Sequence, residues 1–145
     1  MAEISFYQLS RDPVARVVPQ LAAKALEGGA RVLVVSGDAE QRAQLSDALW
    51  AREGEFLAHG GAGGAHAVRQ PILLSGDCAT VNGASLAILA DGAWREDADG
   101  FARAMLLFGS EQTEAARSLW SALKAGGHAP RIFKQTESGG WREGR

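Results

Sequence analysis

The sequence predicts a single α/β domain, residues 1–145, in which helices flank a mostly parallel central sheet in Rossmann-like layers. Three observations carry this. Strand-like and helix-like segments alternate from the N-terminus, the signature of an α/β layer fold. The run Arg31 to Ser36 (RVLVVS) is apolar without alternation and rich in β-branched residues, which suits a strand covered on both faces. The helical patterns end at glycine pairs, Gly28-Gly29 and Gly126-Gly127, as helix C-termini commonly do.

Taken in order, Ile4 to Leu9 alternates weakly and contains Phe6 and Tyr7, reading as a strand. Asp12-Pro13 suits a helix start, Asp as a cap and Pro in the first turn. Val14, Val17, Val18, Leu21, Ala22, Ala25 and Leu26 then recur at helical spacing. Pro19 within that pattern marks either a kink or the true start of the helix. After the strand at 31–36, Gly37-Asp38 turns the chain, and Ala39 to Trp50 forms a second helix with Leu45, Ala48 and Leu49 on its apolar face. Phe56-Leu57 opens a short strand, and Gly60 to Ala67 (GGAGGAHA) reads as a flexible loop. Pro71 to Ser75 and Ser85 to Ala90 are strand candidates separated by the turn signal Asn82-Gly83. Phe101 to Phe108 is apolar and fits helix or strand. Ser110 to Ala125 is the last helix, with Ser110 as its cap, Glu111 and Glu114 near the positive end of the dipole and Lys124 near the negative end. Arg131 to Gln135 adds a final edge strand.

Composition narrows the function. The net charge of −2 lacks the basic excess of a protein that grips phosphates along a groove, so direct DNA binding is not expected. A lone cysteine, Cys78, permits no internal disulfide and no thiolate metal cage. The N-terminus has no signal-peptide pattern, and no apolar run approaches the ~20 residues of a membrane span, so the expected compartment is the cytoplasm. The glycine loop at 60–67 leads into a strand, whereas a dinucleotide fingerprint leaves a strand and opens a helix; no Walker-type Gly-Lys-Ser/Thr is present. His59, His66 and Cys78 match no zinc spacing, and His128 after the last glycine pair suits hydrogen bonding to nearby carbonyls. No catalytic set nominates itself, and no cofactor or metal is expected.

Two stretches are more pointed. In Asp47 to Gly60 (DALWAREGEFLAHG), Trp50 and Phe56 flank a charged turn with no catalytic side chain to serve, which leaves them core residues or anchors for another protein. On the last helix, Arg117, Trp120 and Lys124 share one face, while Ala116, Leu119 and Leu123 form a neighbouring stripe that can meet the sheet. A large aromatic between cations suits an acidic peptide with an apolar end, and Arg131 and Lys134 add positive field nearby. The competing reading is a solvated helix face with Trp120 half buried.

The chain resembles the chi subunit family of bacterial DNA polymerase III, clamp-loader accessory proteins. The resemblance runs in order through ISFYQL, ALEGGARVLVVSGD, DALWAREGEFLAHG, RQPILLS, VNGASLAILADG, AARSLWSALKAGG and GGW. It implies a non-catalytic subunit with an α/β fold. It implies a psi partner, received around Trp50, Phe56 and Leu57, which ties the chain to the clamp loader. It implies a second partner, the acidic, Phe-terminated tail of single-stranded-DNA-binding protein, held by Arg117, Trp120 and Lys124, with Leu106 and Phe108 as pocket walls. A lysine often follows the aromatic in the family, where this chain has Ser121; Pro commonly precedes the histidine of the second segment, where this chain has Ala58. A helicase-like repair protein is an alternative partner for the psi-receiving face. The alternative function is a small α/β nucleotide-binding or hydrolytic enzyme using the strand-end loops near Asp38 and Asp77, whose capping and turn positions already explain both residues.

Overall fold

In the computed structural model, which describes residues 2–51, 59–61, 63–64, 66–79 and 82–144, one eight-stranded sheet forms the middle layer. Its strands are β1 (Glu3–Gln8), β2 (Val32–Val35), β3 (His59–Gly61), β4 (Ile72–Ser75), β5 (Leu86–Leu89), β6 (Arg103–Phe108), β7 (Arg131–Gln135) and β8 (Trp141–Glu143). They lie in the order β3-β4-β2-β5-β6-β1-β7-β8, all parallel except the antiparallel β7–β8 pair. The helices are α1 (Val14–Glu27), α2 (Ala39–Trp50) and α3 (Thr113–Ala125).

The central strands are buried on both faces, as the continuous run in β2 requires. Val32 and Val34 turn to one side, where Val17, Val18 and Leu21 of α1 and Leu45 and Leu49 of α2 cover them. Leu33 and Val35 turn to the other, packed with Phe6, Leu106, Phe108 and the α3 residues Ala116 and Leu123. Two helices therefore cover one face, and α3 with two short 3-10 turns, Ala67–Arg69 and Glu96–Gly100, covers the other.

Several local expectations are corrected. Pro19 neither starts nor breaks α1; it lies buried inside a continuous helix. Asp12 does not cap that helix: Pro13 is its N-cap residue, and the Asp12 carboxylate instead accepts a hydrogen bond from Gln135 Nε2 at 2.9 Å. Asn82-Gly83 turns the chain, with Gly83 at φ +70°, but makes no hairpin, because β2 lies between β4 and β5. The Asn82 amide is needed inside, where it donates to the carbonyls of Gln70 and Val32. The segment at 101–108, which fits helix or strand by pattern, forms strand β6 from Arg103 to Phe108. Ser110 opens a 3-10 turn, Ser110–Gln112, and does not cap α3 with its side chain. Strand β7 is not an edge, because β8 pairs outside it. The expected strand at Phe56-Leu57 lies outside the described residues.

A groove under the last helix

The start of α3 is fixed by a polar relay. Gln112 Oε1 accepts from the Gly109 amide at 3.1 Å, and its Nε2 donates to the Asp91 carbonyl at 2.9 Å. Asp91 in turn accepts from the Gly37 amide at 2.9 Å and from both ends of the Arg95 fork at 2.8 and 2.9 Å. This ties the loops after β2 and β5 to the entry of α3. The helix then runs over the strand pairs β6–β1 and β1–β7 on the second face of the sheet.

In those strands Phe6 stands level with Ile132, and Gln8 level with both Phe108 and Lys134. Alternation sends Phe6, Phe108 and Ile132 toward α3. Trp120, half buried, meets Phe6 edge to face at 5.3 Å and 72°, and Phe6 meets Phe108 likewise at 6.2 Å and 79°. Between helix and sheet an open groove of about 460 Å³ remains, floored by Phe6, Phe108 and Ile132 and walled by Ala116 and Trp120 of α3. Arg117 and Lys134 stand on its rim, with Thr113, Ser121 and Gln8 supplying neutral polar groups.

Neither Arg117 nor Lys134 is ion-paired within the chain among the described residues. Arg131 differs. It grips Glu143 through two bonds at 3.0 and 2.6 Å and lies 3.7 Å from Glu3. The Glu143 hydrogen bond raises its pKa and lowers that of Glu143. Its charge is thus largely answered, and the positive field expected near the last helix comes from Arg117 and Lys134.

Of the residues singled out on the last helix and β6, Arg117, Trp120, Ser121 and Phe108 line the groove. Lys124 is exposed one turn beyond Trp120 and does not line it. Leu106 is 1% exposed and sealed in the core beneath. Phe6, Gln8, Thr113 and Ile132 join the groove without a site signal in the sequence, because the neighbouring of β1 and β7 brings Phe6, Gln8 and Ile132 together.

On the opposite layer, Trp50 ends α2 with 56% of its surface exposed. Its ring lies 4.5 Å from that of His59, whose Nε2 is 2.8 Å from Ser46 Oγ. Phe56 and Leu57 lie outside the described residues. The strand-end carboxylates serve the backbone: Asp38 accepts from the Glu40 amide as the α2 cap, and Asp77 from the Ala79 amide and the Ser75 hydroxyl. Neither lines the groove. Nearby, burial pushes the Cys78 thiol up, against the opposing pull of Arg95. Among the described residues no helix is long and apolar enough to cross a membrane, and no cluster of His, Cys, Asp and Glu is placed to hold a metal.

A family model described as DNA polymerase III chi subunit, HolC, matches residues 1–131. No curated protein matches the chain.

Proposed function

Since the chain belongs to the family of the DNA polymerase III chi subunit, an accessory subunit of that replicative polymerase, we propose that it bridges the clamp loader to single-stranded-DNA-binding protein. The groove beside Trp120 receives the acidic, Phe-terminated tail of the binding protein, and the face around Trp50, with Phe56 and Leu57, receives psi. One observation carries the first half: an aromatic-walled groove whose two rim cations, Arg117 and Lys134, are paired with no acid among the described residues.

The chemistry is docking. The tail's last Phe seats beside Trp120, over the Phe6–Ile132 floor, where aromatic contacts favour edge-to-face geometry. Its terminal carboxylate pairs with Arg117, whose planar fork can hold both oxygens. Once the seated ring shields it from water, this charge-assisted pair contributes roughly 1.5–3 kcal/mol. Burial of the Phe ring adds about 1.5–3 kcal/mol. With a second, exposed cation adding up to about 1 kcal/mol, the gross attraction of roughly 3–7 kcal/mol corresponds to binding no tighter than the micromolar range. Ser121, where a lysine is often found in the family, makes the site less cationic, which leaves Lys134 as the second charge at the groove itself.

Calorimetric titration with a Phe-terminated acidic peptide tests the reading. Arg117→Ala weakens binding beyond about tenfold, the loss of roughly 1.4 kcal/mol or more, with an unchanged circular-dichroism spectrum because Arg117 is exposed. Added salt weakens the wild-type interaction, since both partners are charged and solvent-facing. Equal affinity of the variant and wild type would remove the groove from consideration.

A further inference from the structure

Lys134 and Arg142 stand directly opposite each other across the antiparallel β7–β8 pair, both exposed. Like charges in that position destabilise a strand pair. Neither is ion-paired among the described residues, whereas Arg131 and Glu143 of the same two strands hold each other. Opposed residues of an antiparallel pair point to the same face. Lys134 lines the groove under α3, so Arg142 belongs to the groove's side of the sheet. A shallow cleft lined by Lys134, Thr136, Glu137 and Arg142 adjoins the groove and shares Lys134 with it. Glu137, the acid of that cleft, makes no ion pair with either cation. At the end of β8, the Gly144 amide donates to the Ile132 carbonyl at 2.8 Å. A Cβ at 144 would come within 3.1 Å of the Ile132 side chain and 3.4 Å of Lys134 Cε, so glycine keeps that stretch of the rim clear.

We propose that the β7–β8 hairpin is a second station of the groove, at which Lys134 and Arg142 hold acidic residues upstream of the peptide's apolar end. This rests on the reading of the groove as a tail-binding site. An anion between the two cations removes the repulsion that the empty pair carries, which selects an acidic occupant over a neutral one. Neighbouring strands lie about 4.8 Å apart, a step that one or two residues of extended peptide cover. Lys134 and Arg142 both lie beyond residue 131, where the family match ends. The second station is therefore read from this chain's own geometry.

The test is calorimetry with two Phe-terminated peptides, one carrying three Asp upstream of its apolar end and one carrying three Asn. Arg142→Gln is expected to weaken the Asp peptide about two- to fivefold, the range of an exposed charge pair, to leave the Asn peptide unchanged, and to flatten the salt dependence of the Asp peptide. If the wild type binds the Asp peptide and Arg142→Gln binds it equally well, the hairpin station is overturned and the groove reading stands. Equal weakening of both peptides also overturns the station, because the loss is then not one of charge. If the wild type binds neither peptide, the groove reading falls and the station with it.

Discussion

An exposed guanidinium gains little from a solvent-exposed carboxylate, so the pairing of an arginine says less about stability than about availability. Arg131 is engaged by Glu143 and Glu3; Arg117 is not, and only the second has a fork to offer an incoming carboxylate. Arg95 belongs to a third class, structural and partly buried, and its partner Asp91 carries a pH signature. Burial alone would raise the Asp91 pKa, but the hydrogen bonds from Arg95, Gly37 and Ala93 together hold it below the ordinary aspartate value of 3.8. A carboxyl held down in the folded state contributes stability that is complete above its unfolded value and is lost as pH falls through the folded one. Urea unfolding of the wild type should therefore show stability falling below about pH 4. Asp91→Asn lacks this titration and should show a shallower acid decline from a lower starting point. Parallel declines in the two proteins would mean that the Asp91 network does not stabilise the fold.

Elements were legible where one helix or one strand contained the whole signal. The i, i+3 and i+7 spacing of Arg117, Trp120 and Lys124 needs only the geometry of α3, and the apolar run of β2 needs only its own burial. What the sequence concealed was cross-chain pairing. Asp12 reads as a helix cap until Gln135, distant in sequence, claims it. Phe6 and Ile132 meet beneath Trp120 because β1 and β7 are neighbours, which no local pattern states. Lys124, on the same helical stripe as Trp120, is carried past the groove by the next turn. The Gln135 latch makes this testable. Its Oε1 accepts from the amides of Ser10, Arg11 and Asp12 at 3.2, 2.9 and 3.1 Å, tying the β1–α1 loop to the end of β7. Gln135→Ala leaves three amides without that acceptor and one buried carboxylate without its donor. It should cost about 1–3 kcal/mol in chemical denaturation, the usual cost of orphaned buried groups. Because Lys134 adjoins Gln135, tail-peptide affinity should fall with it. A change under about 0.5 kcal/mol, the size of an ordinary surface substitution, would show that water replaces the amide without loss.

At the scale of the molecule, the two aromatic anchors belong to different layers. Trp50 ends α2, which packs on one face of the sheet, and Trp120 lies on α3, which packs on the other. The strands between them form a densely packed core with Val32, Leu33, Val34 and Val35 fully buried. Such a core transmits no displacement unless a ligand favours one of two arrangements of it. Strand β2 is paired on both sides, by β4 and by β5, so shifting it would break two ladders at once. The two faces proposed above as docking sites should therefore act independently, with a coupling free energy near zero. A pull-down from cell lysate with Trp50→Ala and with Trp120→Ala should lose different proteins, the first losing the partner that ties the chain to the clamp loader and the second losing single-stranded-DNA-binding protein. Saturating tail peptide should displace the second and leave the first bound. If the peptide releases both, or if both variants lose the same protein, the faces are one site or are linked through the sheet.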